Sequence, residues 1–127
     1  MIDIAKYVGI EYSHEGINCL SLVVTILNEY GYNLPFNDGK AINEKWYEAS
    51  PDRLINGMKQ YGKQIPTNEL QPLDAVVFSF GGIPRHMGLM LDRAQFIHAR
   101  QSKKSAIIKL RYYQKFLHSC WRMEVQK

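Results

Sequence analysis

The chain has 127 residues, a formal net charge of +4, 46% hydrophobic residues and 22% charged residues. This length suits a single domain spanning residues 1–127, and the composition is typical of a globular protein with a packed core. No apolar run approaches the roughly 20 residues that a membrane-spanning helix needs, so membrane insertion is not expected. The first residues lack the basic and apolar segments of a signal peptide, so we expect synthesis in the cytoplasm without an export signal.

Positive charge is concentrated in the C-terminal third of the chain. Residues 85–127 hold ten Lys or Arg against two Asp or Glu, whereas residues 1–84 hold six against ten. Such a basic region favours an anionic partner, such as nucleic acid or an acidic cell-wall polymer, or is simply a solvated basic surface. No zinc-finger, RNP or basic-zipper pattern occurs, so specific nucleic-acid binding is not predicted.

The N-terminal half of the chain has the periodicity of helices. The candidate helices span residues 2–8, 19–30, 40–49 and 51–61. The segment 19–30 has apolar residues at helical spacing on most sides, which predicts a buried central helix that ends at Gly31. Ser50-Pro51-Asp52 predicts the start of the last helix, with serine as the N-cap and proline in the first position.

The C-terminal half has the character of short strands. The candidate strands span residues 75–80, 86–91, 95–100, 106–110 and 119–125, with a short helix at 112–117. Asp92-Arg93-Ala94 is typical of a tight hairpin turn between two of these strands. Helices followed by a meander of strands predict an α+β fold, in which an antiparallel sheet packs on the central helix.

Cys19 lies at the predicted start of the central helix, directly after Asn18, which can cap that helix. Unpaired N–H groups and the positive end of the helix dipole favour a thiolate, so this position predicts a lowered thiol pKa. The other cysteine, Cys120, lies beside Trp121 in a candidate strand and is expected in the core. The two cysteines could form one bridge, but two reduced thiols are favoured for a protein made in the cytoplasm.

His86 and His98 lie on adjacent candidate strands, and hairpin pairing would bring them side by side. A thiol hydrolase needs a nucleophile such as Cys19, an imidazole base, and a polar group that fixes the imidazole tautomer. Taken alone, Cys19 is more simply a buried structural thiol. These three residues and Cys120 could also form a zinc site, but no CxxC or HxxxH spacing supports one, so no metal is predicted.

Several sequence blocks resemble, in order, those of NlpC-type cell-wall cysteine peptidases of the papain-like superfamily. The blocks are Gly-Ile-Glu-Tyr at 9–12, Asn-Cys-Leu-Ser-Leu-Val at 18–23, Pro-Leu-Asp-Ala-Val-Val-Phe at 72–78, Arg-His-Met-Gly-Leu-Met-Leu at 85–91 and Phe-Ile-His-Ala at 96–99. Each block is short, but together they extend over most of the chain. Their common order makes the resemblance strong.

The resemblance implies a papain-like fold with the nucleophile, Cys19, at the start of a central helix. It implies that His86 is the general base and that His98 orients it. Tyr12 matches a tyrosine whose hydroxyl lies near the oxyanion site. The implied reaction needs no metal or other cofactor, and hydrolyses the γ-D-glutamyl bond to diaminopimelate (or lysine) in peptidoglycan stem peptides.

The chain departs from the family pattern at four positions near the implied site. Asn18 replaces an aspartate, although asparagine caps helices equally well. Leu20 and Ser21 replace a Ser-Gly pair, which could crowd the approach of helix to sheet. Leu73 stands where glycine is common. The residue types implied for catalysis are all retained, which favours an active enzyme.

A narrower resemblance concerns Gly31-Tyr32-Asn33-Leu34-Pro35, which follows the central helix. This segment, with the missing export signal, resembles small tail-associated peptidases of long-tailed bacteriophages. It implies a protein that is incorporated in a virion tail with other tail proteins and acts at the cell wall. The alternative is a tail assembly or structural protein with a vestigial peptidase site.

Overall fold

The computed structural model describes residues 4–13, 18–35, 46–49, 51–100 and 103–126. The helices are α1 (Cys19–Glu29), α2 (Trp46–Ala49) and α3 (Arg53–Tyr61). The strands are β1 (Gly62–Ile65), β2 (Ala75–Phe80), β3 (Ile83–Met90), β4 (Gln95–His98), β5 (Ala106–Lys109) and β6 (Leu117–Met123). Within these ranges, no helix combines the length and the apolar character needed to cross a membrane.

The six strands form one sheet in the order β1-β6-β2-β3-β4-β5, and every neighbouring pair is antiparallel. α1 packs against β3 and β4, and α3 packs against β1, β3 and β6. The predicted α+β fold, with the central helix on an antiparallel sheet, is therefore confirmed.

The sheet separates two apolar clusters, because successive side chains along a strand point to opposite faces. The cluster on the helix side includes Val77 and Met87, together with the buried face of α1. The cluster on the other side includes Phe78 and Phe96. Cys19 belongs to the first cluster and Cys120 to the second, and both are free thiols. Their separation by the sheet explains why they do not form a bridge.

The end of α1 follows the sequence prediction. Gly31 has a φ of +89°, a left-handed conformation that glycine adopts without steric cost, and it ends the helix as expected. The Asn28 side chain then accepts a hydrogen bond from the Leu34 amide and donates one to the Leu34 carbonyl. These bonds fold the following segment back onto the helix.

Four local predictions need correction. Ala5–Tyr7 forms a 3-10 helix within the segment expected to be a short opening helix. α3 begins at Arg53, so Asp52 is its N-cap and Pro51 precedes it; Ser50 and residues 40–45 lie outside the described residues. β1 was not predicted, because its sequence of Gly, Lys, Gln and Ile has no apolar alternation. The helix expected over residues 112–117 is instead two 3-10 turns.

An ion pair between a buried aspartate and a partly exposed arginine joins the start of β2 to β6. Asp74 is buried and accepts bidentate hydrogen bonds from Arg122, at 3.0 Å from Nε and 2.9 Å from Nη2. The backbone amide of Gln71 also donates to Asp74, and Arg122 donates to the carbonyl of Glu69. Leu73, directly before Asp74, has a φ of +74°, a left-handed conformation. Glycine adopts this conformation without steric cost, which explains why it is common at this position in the family that the sequence resembles.

Candidate active site

The start of α1 is held by a reciprocal capping box. The Asn18 side chain accepts hydrogen bonds from the backbone amides of Leu20 and Ser21, and Ser21 Oγ accepts one from the Asn18 amide at 2.8 Å. The Leu22 amide bonds to the Asn18 carbonyl. Ser21, a departure from the family pattern, therefore completes the cap of α1.

Cys19 is the first residue of α1 and only 6% exposed. Burial raises the pKa of its thiol to about 11, although the backbones of Met87, Leu20 and Cys19 itself and the charge of Arg53 all lower it. The predicted lowering at the helix start is therefore present, but burial outweighs it and the net direction is opposite to that expected. In the absence of substrate the thiol is protonated at neutral pH.

His86 and His98 are brought together as predicted, by a direct hydrogen bond. His86 Nε2 and His98 Nδ1 are 2.8 Å apart. The paired residues of β3 and β4 are Leu89 with Ile97 and Met90 with Phe96. Continuing this register places His98 diagonally from His86, so the two imidazoles meet across the hairpin rather than directly opposite each other.

Cys19 reaches the same strand one residue further along. The backbone of Met87, which follows His86 in β3, acts on the sulfur and lowers the thiol pKa. The thiol approaches β3 from the helix side, whereas the two imidazoles pack on Phe78 and Phe96 of the other cluster. The hydrogen bond of the His86 ring goes to His98, and among the described residues none joins either ring to Cys19.

Aromatic rings enclose the two imidazoles. The His98 ring is fully buried, with centroid distances of 5.0 Å to Phe96 and 5.3 Å to Tyr113, and Phe78 lies 5.9 Å from His86. Burial lowers the pKa of His86 to about 4 and that of His98 to about 3. Both rings are therefore neutral at neutral pH and can accept a proton.

Gly88 permits the close approach of β3 and β4 beside this pair. A Cβ atom at residue 88 would lie 2.5 Å from the Phe96 ring and 2.9 Å from the Ile97 carbonyl oxygen. Real Cβ atoms essentially never make such contacts, so any larger residue would push the two strands apart. Separation of the strands would also separate His86 from His98.

Tyr12 lies close enough to Cys19 for the charge of the thiolate to affect the ionisation of the phenol. Burial and the nearby Cys19 together raise the pKa of Tyr12 to about 12. The Tyr12 amide donates to the carbonyl of Lys103, and the preceding segment is held by Ser105, whose Oγ accepts from the Ile10 amide. The tyrosine therefore stays protonated and can donate a hydrogen bond near the thiol.

Arg100 is a residue of this site that the sequence reasoning missed. It lies two residues after His98, and its positive charge lowers the pKa of both His86 and His98. In the continued β3–β4 register it falls opposite His86. The available signal was a cation at the next same-face position after a candidate catalytic histidine.

Cys120 and His118 have hydrogen-bond partners other than the residues of this site. Cys120 is 1% exposed in the other apolar cluster, as expected for a core residue. His118 is exposed and its ring is bonded to Ser119; His14 lies outside the described residues. Within the described ranges, no three His, Cys, Asp or Glu residues are grouped as metal ligands.

Comparison with known proteins gives one family. The model of the NlpC/P60 family matches residues 6–122, nearly the whole chain. No curated protein sequence matches the chain significantly.

Solved structures with the same fold come from this family. A lipoprotein-like NLP/P60 protein of Staphylococcus aureus has a TM-score of 0.65 at 20% identity over 95% of this chain and 39% of its own. An NlpC/P60 protein of Bacillus cereus has 0.68 at 18%, over 94% and 37%. The NlpC/p60 domain of the peptidoglycan hydrolase SagA has 0.62 at 16%, over 93% and 91%. The chain thus spans about two fifths of the first two proteins and nearly all of the third.

Proposed function

Because the chain belongs to the NlpC/P60 family, we propose that it is a cysteine peptidase that cleaves bacterial cell-wall peptides. Cys19 is the nucleophile, His86 the general base and His98 the residue that orients His86. The match to the domain of a peptidoglycan hydrolase over nearly its whole length supports a cell-wall substrate.

The observation that carries this proposal is the His86–His98 hydrogen bond, next to Met87, whose backbone acts on the Cys19 thiol. The bond uses Nε2 of His86 and so leaves Nδ1 for the thiol. For Nδ1 to accept a proton, Nε2 must carry the hydrogen and donate it to His98 Nδ1. A histidine held in this tautomer is what a thiol nucleophile requires.

The reaction starts from a neutral thiol and a neutral imidazole, since burial raises the pKa of Cys19 to about 11 and lowers that of His86 to about 4. The sulfur bonds to the scissile carbonyl carbon while its proton passes to His86 Nδ1. The imidazolium then gives this proton to the leaving amine as the C–N bond breaks. Proton transfer and attack are therefore coupled, with no preformed ion pair.

The oxyanion formed in this step needs hydrogen-bond donors. The amides of Leu20, Ser21 and Leu22 already bond to Asn18, so the Cys19 amide is the donor that remains in the first turn. The protonated Tyr12 hydroxyl supplies a second donor nearby. Fixed donors of this kind stabilise the charge that develops in the transition state.

Hydrolysis of the thioester completes the cycle. His86 takes a proton from water, the resulting hydroxide attacks the acyl carbon, and the C–S bond breaks. The proton on His86 returns to the sulfur, which regenerates the neutral pair. The substrate bond we propose is the γ-D-glutamyl bond to diaminopimelate or lysine, as the family resemblance implies.

Purified muropeptides provide the test, with products identified by mass spectrometry. We expect new amine and carboxylate termini at the γ-D-glutamyl bond with the wild-type protein. Cys19→Ala should abolish cleavage, whereas Cys120→Ala, which removes the other buried thiol, should retain it in the folded fraction. Absence of cleavage by the wild type, or unchanged cleavage by Cys19→Ala, would contradict the proposal.

Tail association is a separate proposal and stays a prediction. The segment that suggested it, Gly31–Pro35, bonds to its own chain: Leu34 with Asn28, and the Tyr32 carbonyl with the Gln126 amide. These contacts give the segment a structural role that needs no tail partner. Detection of this chain in purified virions would support incorporation, and its absence from them would count against it.

A further inference from the structure

One nitrogen of the fully buried His98 ring, Nε2, has no hydrogen-bond partner among the described residues. The other nitrogen, Nδ1, lies 2.8 Å from Nε2 of His86. Burial lowers the pKa of His98 to about 3, so at neutral pH the ring is neutral and a single nitrogen carries a hydrogen. The buried Nε2 is therefore either an N–H group without a polar acceptor or a bare lone pair.

The choice between these two forms decides whether His86 can act as a base. If the hydrogen of His98 is on Nε2, its Nδ1 accepts the Nε2–H of His86, and Nδ1 of His86 has a lone pair for the thiol proton. If the hydrogen of His98 is on Nδ1, it is donated to Nε2 of His86, and the neutral His86 ring then carries its own hydrogen on Nδ1. In this second form neither nitrogen of His86 can take the thiol proton.

Tyr113 covers the imidazole of His98 from above the sheet. It lies in the segment that joins β5 to β6 and packs on the apolar cluster of the sheet face that carries both imidazoles. Its ring is inclined by 90° to His98, 70° to Phe78 and 74° to Phe96, with centroid distances of 5.3, 5.4 and 5.6 Å. Strand side chains stand roughly perpendicular to their sheet. A ring that is nearly perpendicular to all three therefore meets their outer edges with its face.

The outer edge of a histidine ring carries Nε2, because Nδ1 is next to the carbon that joins the ring to the chain. Phe96 precedes His98 by two residues on β4, so its ring stands beside the imidazole rather than above it. We propose, on the basis of the function proposed above, that Tyr113 is a positioning residue whose ring face accepts the Nε2–H of His98. The electron-rich face of an aromatic ring attracts an N–H group and repels a lone pair. Tyr113 thus selects the tautomer that leaves Nδ1 of His86 free.

The wild-type protein provides the first test. Nitrogen-15 NMR distinguishes a ring nitrogen that carries hydrogen from one that does not, and the chain has four histidines to assign. At neutral pH we expect hydrogen on Nε2 of both His86 and His98, with the His98 proton shifted upfield because it lies over the Tyr113 ring. Hydrogen on Nδ1 of His98, or an Nε2–H proton without the upfield shift, would overturn the proposal.

Substitutions at Tyr113 test whether the ring face acts on the reaction. Tyr113→Phe keeps the face and should leave the tautomers and the kcat of muropeptide cleavage nearly unchanged. Tyr113→Leu removes the face, so we expect kcat to fall about 2- to 5-fold at unchanged KM, in proportion to the fraction of His98 that still carries hydrogen on Nε2. Phe116→Leu is the matched control, because the ring contacts of Phe116 are with Tyr113 and Phe80 rather than with an imidazole. It should change neither quantity.

Equal losses of kcat in Tyr113→Phe and Tyr113→Leu, or wild-type tautomers in Tyr113→Leu, would contradict the role of the ring face. Thermal unfolding shows whether each variant folds, and the wild-type spectrum decides the question alone if Tyr113→Leu does not. The tautomers are measured without substrate, so this inference and the peptidase assignment fail separately. The expected tautomers in a protein that cleaves no muropeptide would support the contact and contradict only the assignment.

Discussion

Arg122 and Arg100 lie in two polar clusters that differ in whether their buried polar atoms have hydrogen-bond partners. Arg122 bonds bidentately to the buried Asp74 and also to the Glu69 carbonyl, so its donors toward the protein are used. Arg100 has a buried Nε without a partner, and the neighbouring His98 has a buried Nε2 without one. Native proteins satisfy nearly all buried polar groups, so exceptions call for an explanation. The satisfied cluster holds β2 to β6, and the unsatisfied one lies where chemistry is proposed.

The largest effect expected from this difference concerns activity. His86→Ala removes the proposed base, and positioned proton transfer typically contributes 10²- to 10⁴-fold. We expect kcat for muropeptide cleavage to fall by about 10³-fold, with thermal unfolding changed far less than in an Asp74 variant. Retention of more than a tenth of the wild-type kcat would contradict the role assigned to His86.

Replacing each of the two arginines by methionine should change the free energy of unfolding by different amounts. Arg122→Met leaves the buried Asp74 carboxylate without its cation, and we expect a clear loss of stability, smaller than for a fully buried pair because Arg122 is partly exposed. Arg100→Met removes an unpaired charge and should cost less than about 0.5 kcal/mol. Urea unfolding measures both free energies. Equal losses would show that the contrast between the clusters is not energetic.

The pH dependence of stability provides a third test of the cluster around His86 and His98. The pKa of His86 is lowered from 6.5 to about 4 and that of His98 to about 3, so the unfolded chain binds protons first as pH falls. The contribution of these two neutral histidines to stability is therefore fully present above pH 6.5 and is lost as the pH falls toward 4 and below. His98→Asn should remove about 1 kcal/mol of the change between pH 6.5 and 5. A pH dependence identical to the wild type would contradict the buried neutral state of His98.

The sequence was sufficient for the fold class and for the convergence of the two histidines, because periodicity and hairpin pairing are local signals. The strands carrying His86 and His98 were expected at nearly the residues where they occur. The sign of the Cys19 pKa shift was not predictable, since it depends on how deeply tertiary packing buries the thiol. Arg100 was missed for the same reason: only its surroundings distinguish it from any exposed cation.

A substitution at Leu73 tests whether the backbone that leads into the Asp74–Arg122 cluster is strained. Its net effect on the free energy of unfolding should be the smallest of those predicted. Leu73 adopts a φ of +74°, which costs a non-glycine residue about 1–2 kcal/mol. Leu73→Gly removes this strain but loses a partly buried side chain and gains freedom in the unfolded chain, each worth about 1 kcal/mol. These terms nearly cancel, so we expect a change within about 0.5 kcal/mol.

Leu91→Gly is the matched control, because Leu91 packs on the same cluster without a positive φ. It should cost about 2 kcal/mol by urea unfolding, and equal costs at the two positions would mean that Leu73 is not strained.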